Sequence, residues 1–521
     1  MNFRPTFHCS AFPLLAALVV AGCVTPGVNV SGDSVTLDMA PKPGEGHVVV
    51  KVVGARPLSA LNAKWKSVLL ESKRTGQKIE LYDFSGPLSA GSLFFGRIDE
   101  GEYEIVQLQS LGPGPGLLLA ALASDSQDLR ARIGTFNVRA GSLANLGTIV
   151  IAPPSEAAKE GSVEYLGGAI GRKSVIDDLE RRIKQRVTLT EISARATDPS
   201  HADEERALVH ARSLMAVLSL GNDAQGSALF GGMALGQVVA RDAAGAWQVH
   251  LLDSLDDVTY ARRLTDGTLI AGLTEGRYAV RKPGQGWKVL SLPGVTGRIH
   301  YVDTTTGGGA LVVVADARTT TLKYRSSLDG DIADVRDLTT LDFPARIVPV
   351  FSLDDRLIVP YNVPGFSRVV ELTIVDKNTL QVRNEKQDFW VSSWQRLPSG
   401  QVLISRRSGL SSHSISVSQD KGATWTHGDT SGPTTVYFLD EQRGYGLDVS
   451  PGAFSVSGQL MKTTDGGKTW AAAGPALSRN VGGQILYAGT QGEVIVSMGF
   501  EAYSTRDDGA TWTRILPREV K

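Results

Sequence analysis

The sequence predicts a mainly β chain with an N-terminal β-sandwich, a short helical linker and a C-terminal seven-bladed β-propeller. Three observations carry this expectation. Short apolar runs broken by Gly and Pro fill residues 47–153, two amphipathic stretches follow within 154–225, and a tryptophan-ended repeat recurs through 226–521. At 521 residues the chain exceeds one ordinary core, which fits several domains.

The amino terminus comes first in chain order. Arg4 precedes the apolar run Ala11–Ala21, and Val20-Ala21-Gly22 places small residues directly before Cys23. This arrangement resembles a bacterial lipoprotein signal peptide with its lipobox. The resemblance implies that residues 1–22 are removed, that Cys23 carries diacylglycerol on its thiol, and that a further acyl chain is added to its amine. Several acyl chains at ~0.8 kcal/mol per buried methylene form an anchor that does not readily dissociate. Val24 is not the Asp that retains such proteins at the inner membrane of two-membrane cells, so the expected address is the outer membrane, facing periplasm or exterior. The other cysteine, Cys9, lies in the leader, which leaves the mature chain one thiol, already lipidated, and no intrachain disulfide or thiolate metal site. Residues 23–46 are rich in Pro, Gly and Ser and are expected to form a flexible tether.

Residues 47–153 contain HVVVKVVG, WKSVLLES, KIELYDF, GSLFFGRI, GEYEIVQLQ and IGTFNVRAGSLANLGTIVIA. Their lengths and β-branched content predict an antiparallel sandwich. Within it, Gly96–Leu108 (GRIDEGEYEIVQL) resembles the strand entry of transthyretin-like and carboxypeptidase-regulatory-like sandwiches. The resemblance implies that Tyr103 faces inward and that the module is accessory, without an activity of its own.

Two helices are expected next. Ser174–Val187 puts Val175, Ile176, Leu179, Ile183 and Val187 on one face, with Ser174 and Asp177 spaced as a capping pair. Ser200–Gly221 starts with Ser200 and Asp203, carries Leu208, Ala211, Met215 and Leu218 along one stripe, and has Gly221 as its stop. His210 has no second histidine or carboxylate at metal spacing and is expected to be an ordinary surface or interface histidine.

The repeat follows. SQDKGATW (Ser418–Trp425), TTDGGKTW (Thr463–Trp470) and TRDDGATW (Thr505–Trp512) share Ser/Thr-x-Asp-x-Gly-x-Thr-Trp, and their tryptophans stand 45 and 42 residues apart. That period suits propeller blades. The octet resembles the Asp box, the bacterial-neuraminidase repeat found in sialidases, sortilin-type receptors and photosystem assembly factors. Its expected role is structural. Asp420, Asp465 and Asp507 accept hydrogen bonds from their own turns, Gly422, Gly467 and Gly509 allow positive φ, and Trp425, Trp470 and Trp512 cover the adjoining apolar layer, with Ser418, Thr463 and Thr505 opening each turn. Weaker copies end at Trp247 and Trp287, 40 residues apart, and two more turns are expected at Ser326–Asp331 and Ile374–Leu380. Seven repeats of about 42 residues result. Small residues such as Ala271 and Gly272 are expected on inner strands close to the axis.

Composition narrows the function. With 53 Lys and Arg against 54 Asp and Glu, the net charge of -1 supplies no field that would draw nucleic acid. No HExxH, P-loop, GxSxG or helix-opening GxGxxG is present, and no cofactor or metal is expected. The expectation is a lipid-anchored, non-catalytic scaffold that binds a protein or an envelope polymer. The alternative is a sialidase-like glycoside hydrolase, which needs three arginines, a Tyr–Glu pair and an Asp gathered at the propeller centre. The Arg-Ile-Pro string of that family is missing. ARIVP (Ala345–Pro349) has an extra residue and sits mid-propeller, so Arg346 is expected on a blade surface.

Overall fold

The computed structural model describes residues 25–26, 43–54, 65–85, 89, 91–110, 125–130, 132–152, 162–182, 190–193, 199–215, 217–222, 229–242, 244–316, 318–330, 334–342, 350–362, 370–387, 390–407, 413–428, 432–451, 456–475, 477–478, 483–489, 492–498 and 501–516. Residues 1–24 with Cys23, the helix residues Ile183 and Val187, and the Ala345–Pro349 string lie outside them.

Two sheets build the N-terminal unit. One runs β1 (Thr25–Pro26), β4 (Lys78–Tyr82), β3 (Ser67–Ser72), β6 (Gly101–Ser110) and β7 (Asp125–Asp128), with β8 (Thr135–Val138) also on β6. The other runs β10 (Ser162–Leu166), β9 (Ser142–Ala152), β2 (Glu45–Val53) and β5 (Gly91–Asp99), with β11 (Thr190–Ser193) also on β9. Val48, Val50 and Val52 point between the sheets, where they meet Leu70, Phe94, Ile105, Phe136 and the inward-facing Tyr103. The opposite face of β2 is buried as well, because Val49 packs against Val175 and Leu179 of the first helix. Burial on both faces explains why HVVVKVV is a nearly continuous apolar run.

The sandwich is mixed rather than antiparallel. β2 pairs parallel with β9, β1 with β4, and β11 with β9. A hairpin dictates an antiparallel neighbour, but β2 and β9 are joined through the other sheet, so no turn fixes their direction. The segment expected as tether and linker also contributes strands. β1 lies within 23–46, while β10 and β11 lie within 154–225 and lengthen the second sheet.

Both helices differ from expectation at their ends. The first spans Ala169–Arg182, so Ser174 and Asp177 are interior; Ser174 accepts from Lys51 (3.0 Å) and Asp177 pairs with Lys173 (2.7 Å). Its amino end is capped from outside by Glu204, which accepts from Gly168, Ile170 and Gly171. The second helix spans His201–Leu214 with Ser200 as N-cap, accepting from the Asp203 amide. Leu208, Ala211 and Met215 are buried. Leu218 and Gly221 are not helical: they belong to strand Val217–Asn222, whose β-branched and apolar run pairs with Leu229–Met233. His210 meets Glu164 at 2.8 Å on the surface.

Beyond residue 216 the chain forms seven successive sheets among the described residues, over 217–251, 258–291, 298–341, 351–387, 390–427, 435–472 and 483–516. Each consists of four sequential antiparallel strands, the sixth adding Leu477–Ser478. The chain is thus mainly β and propeller-like. Trp247, Trp287, the Ile374–Leu380 stretch, the three octets and the described part of the Ser326–Asp331 stretch, residues 326–330, fall at the turn from third to fourth strand, while Asp331 lies outside the described residues. First strands of neighbouring sheets touch one another from the first sheet to the third, from the fifth to the seventh, and between the seventh and the first, which places them innermost. Side chains brace these strands in place of ladders. Thr259 donates to the Ile299 carbonyl, Trp394 to the Val350 carbonyl, Gln395 exchanges two bonds with the Phe438 backbone, and Thr435 accepts from the Ile485 amide. Ala271 and Gly272 lie on a second strand, Leu269–Leu273, rather than at the axis. Gly272 is needed for a different approach: a Cβ there would stand 2.5 Å from the Ile299 carbonyl oxygen of the next sheet.

The seventh sheet is completed by its own strand Thr513–Leu516, so among the described residues no strand pairing joins it to the first. Met233 and Val239 pack on Ala502 and Leu516, and buried Arg241 pairs with Glu493 while lying over the Tyr487 ring. Glu493→Ala is expected to cost about 2–4 kcal/mol by leaving that guanidinium buried without its counter-charge. Urea denaturation of the variant checks this, and a loss under about 0.5 kcal/mol would show that closure is apolar.

Candidate functional site

The three octets fold alike. In the first, the Thr424 amide donates to Asp420 Oδ1 (2.8 Å), the Thr424 hydroxyl to Oδ2 (2.6 Å), the Ser418 hydroxyl to Oδ1 (2.8 Å), and the Gly422 amide to Ser418 Oγ (2.7 Å). Asp465 and Asp507 repeat the pattern with Thr469 and Thr463, and with Thr511 and Thr505. Gly422, Gly467 and Gly509 have φ of 85°, 84° and 88°. Trp470 packs edge-on to Phe438, while Trp425 flanks the apolar cluster between the fourth and fifth sheets and Trp512 that between the sixth and seventh.

Hydrogen bonds from Thr424, Thr469 and Thr511 are the largest of the effects that hold the three carboxyls at about 2. Each carboxylate therefore favours the folded state above the unfolded-chain value of about 4, and that contribution disappears as pH falls toward about 2. Asp465→Ala is expected to lower the melting temperature at pH 7 and to flatten its fall between pH 4 and 2, read by thermal melts across that range. The three turns sit one per sheet in the fifth, sixth and seventh sheets, so their carboxylates are distributed around a rim.

Antiparallel succession gives the ring two faces. First-to-second and third-to-fourth turns share one, and second-to-third turns share the other with the links between sheets. The N-terminal unit docks on the second face, over the first two sheets. Leu235, in a positive-φ turn, and Leu255 join Val53, Val150, Leu166, Leu208 and Met215 in one apolar cluster. Beside it lies a buried ionic network. Lys51 meets Asp178 at 2.6 Å, Arg182 meets Glu275 at 2.6 Å, and Arg277 pairs with Asp256 and approaches Asp178 at 3.7 Å. Burial alone would raise the Asp178 pKa, but Lys51, Arg181 and Arg277 outweigh it and hold it low. Burial, with Arg277 adding to it, lowers that of Arg181. Glu275 has φ of 58°, a conformation costly for a side chain, and that geometry coincides with its ion pair to Arg182.

A second polar cluster spans the inner strands of sheets two to four, toward the octet-bearing face. Arg262 donates to Tyr301 (2.5 Å) and stands 3.4 Å from Asp303. Asp303 accepts from Ser352 (2.6 Å) and pairs with Lys377 (2.7 Å), which also donates to the Leu353 carbonyl. Tyr260 lies 4.7 Å from Tyr301 between ring centroids. Burial raises both tyrosines, Tyr260 the more strongly. Burial opposes the Arg262 charge, yet Tyr260, Tyr301 and Asp303 prevail and raise its pKa. On the strand that carries Tyr301 and Asp303, burial and then Arg298 depress His300 to about 4, so it is neutral at pH 7. Among the described residues this cluster holds one arginine and no glutamate. A Tyr–Glu pair, Tyr503 with Glu501 beside Arg514 (3.2 Å), occurs in the third and fourth strands of the seventh sheet, away from the innermost position.

Sequence reasoning named the octets but neither polar cluster. The signal for the junction was Lys51, a lone cation inside an apolar strand. The inner cluster left none, because Tyr260, Arg262, Tyr301, Asp303, Ser352 and Lys377 come from three sheets and share no spacing. Among the described residues no group of three or more His, Cys, Asp or Glu is placed to hold a metal ion. No helix among them is long and apolar enough to cross a membrane.

The architecture defines the class: a propeller-like ring carrying an N-terminal sandwich. No family model matches the chain, and no curated protein matches it. Among solved structures it is similar to YCF48 bound to a D1 peptide, at 11% identity over 55% of this chain and 90% of that one, TM-score 0.37. It is also similar to YCF48 from Cyanidioschyzon merolae, at 12% identity over 55% and 94%, TM-score 0.36, and to a family PL25 ulvan lyase, at 10% identity over 56% and 92%, TM-score 0.32.

Proposed function

We propose that this is a lipid-anchored protein of the cell envelope whose ring, read as seven Asp-box blades, is a non-catalytic scaffold for a protein or an envelope polymer. The observation that carries this reading is how the chain uses its carboxylates. Asp420, Asp465 and Asp507 are taken up by their own turns, Asp303 by Arg262, Ser352 and Lys377, and Asp178 by Lys51. Groups spent in this way support rigidity. The docked sandwich adds to that, since it fixes one face of the ring over two sheets and leaves the rest of the ring to present a stiff surface.

The anchor belongs to this reading through Cys23. Cys23→Ser is expected to move the protein from the membrane fraction to the soluble one, with membranes of the outer envelope as the place of loss. Persistence in membranes would overturn the lipid assignment. The partner is tested by pulling the lipidated protein from its native envelope and identifying what accompanies it. A stoichiometric protein or polymer supports the scaffold, whereas turnover of a sialoside by the purified chain would replace it with the hydrolase.

A further inference from the structure

The pairing of β1 with β4 bears on how the chain meets its membrane. Thr25 lies beside Ile79 and Pro26 beside Glu80, in parallel. Cys23 stands two residues before Thr25, and two residues reach at most ~7 Å. Resting on the lipid-anchor reading above, we propose that the sandwich is pinned to the bilayer rather than tethered at a distance, with the outer face of its β1–β4 side as the lipid-facing surface. A free tether over 23–46 would instead let it wander by about 27 Å.

The chemistry of that face fits lipid headgroups. Tyr82, at 43% exposure, is one of four exposed large apolar side chains among the described residues, and it sits on β4 itself. An aromatic ring with a polar tip suits the headgroup level of a bilayer. Exposed cations flank it: Lys66 just before β3, Arg74 in the turn between β3 and β4, and Lys78 at the start of β4. None of the three has an ion pair among the described residues. The carboxylates that share this outer face are Glu71, Glu80, Glu102 and Glu104; Glu104 is engaged by Lys73 (2.8 Å) and Glu71 by Arg130 (3.8 Å), Glu80 accepts from the Tyr82 hydroxyl (2.8 Å), and Glu102 is exposed on the strand beyond β3. Lys66, Arg74 and Lys78 are thus available to lipid phosphates, and anionic phospholipid is the partner assigned.

The test uses the full acylated chain in vesicles. Thr75→Cys places the only free thiol of the mature chain in the β3–β4 turn, where it takes an environment-sensitive fluorophore. Lys468→Cys places the same probe on an octet turn as a control. In vesicles of phosphatidylcholine with phosphatidylglycerol and a quencher borne on the acyl chains, the probe at 75 is expected to be quenched severalfold more than the probe at 468. Adding Arg74→Glu and Lys78→Glu should weaken that docking by about fivefold per cation, as should raising the salt. Circular dichroism of the charge-reversed chain confirms its fold. Equal quenching at 75 and 468 with an acylated Cys23, read by mass spectrometry of the N-terminal peptide, overturns the pinned face alone. An unacylated Cys23 overturns both this and the anchor.

Discussion

Asp178→Ala is expected to destabilise the protein by about 3–5 kcal/mol, among the largest effects of removing any single charge from the chain. The reason is what remains behind. Lys51 sits mid-strand on β2 with its side chain 2% exposed, and among the described residues the neutral Ser174 hydroxyl is the hydrogen-bond partner left to its ammonium. Arg277 and Arg181 would lose the same counter-charge while keeping their own mutual repulsion. The ammonium cannot reach water without opening the helix from the strand. Replacing both partners tests the argument from the other side, because Lys51→Met with Asp178→Leu removes the charges together and should recover most of the loss. Urea denaturation followed by tryptophan fluorescence reads both variants. A double variant as unstable as Asp178→Ala alone would mean that packing, not charge, accounts for the cost.

The junction also shows what was legible in the sequence and why the rest was not. The octets could be read because each is a closed local unit: Asp, Gly, Thr and Trp act within eight residues, so spacing alone reports their bonds. The repeat period likewise follows from a chain that builds each sheet from four consecutive strands. Long-range pairings leave no such trace. The parallel partnership of β2 with β9 joins strands nearly a hundred residues apart, and double-faced burial erased the alternation that would have given its direction. Helix ends suffered in another way. Val217–Asn222 carries apolar residues at helical spacing, yet pairing with Leu229–Met233 claims its backbone and stops the second helix at Leu214. Gly272 is small because the Ile299 carbonyl of the next sheet comes close, not because of the axis, and a sequence that says space is tight does not say what fills it.

The first helix shows the same limit, and there one residue carries a large expected effect. Glu204→Ala is expected to cost about 3 kcal/mol or more. Glu204 is almost fully buried and accepts from three backbone amides at the start of the first helix, Gly168 (2.9 Å), Ile170 (3.1 Å) and Gly171 (2.9 Å). It also occupies the first turn of the second helix, so one carboxylate lies at the positive ends of two helix dipoles. Removing it leaves three donors without an acceptor in a place closed to water. Gly168 shows how closely the two are fitted, because a Cβ there would stand 2.4 Å from Glu204 Oε2. Glu204→Gln keeps one acceptor oxygen and loses the charge, so its cost should fall to about half that of Glu204→Ala. Gly168→Ala should reproduce part of the loss by displacing the carboxylate. Denaturation curves are expected to rank Glu204→Ala as the least stable, Glu204→Gln as intermediate and the parent as the most stable, with Gly168→Ala also below the parent. If the alanine and glutamine variants matched, charge and hydrogen bonding would contribute nothing beyond the volume of the side chain, and the capping account would fall.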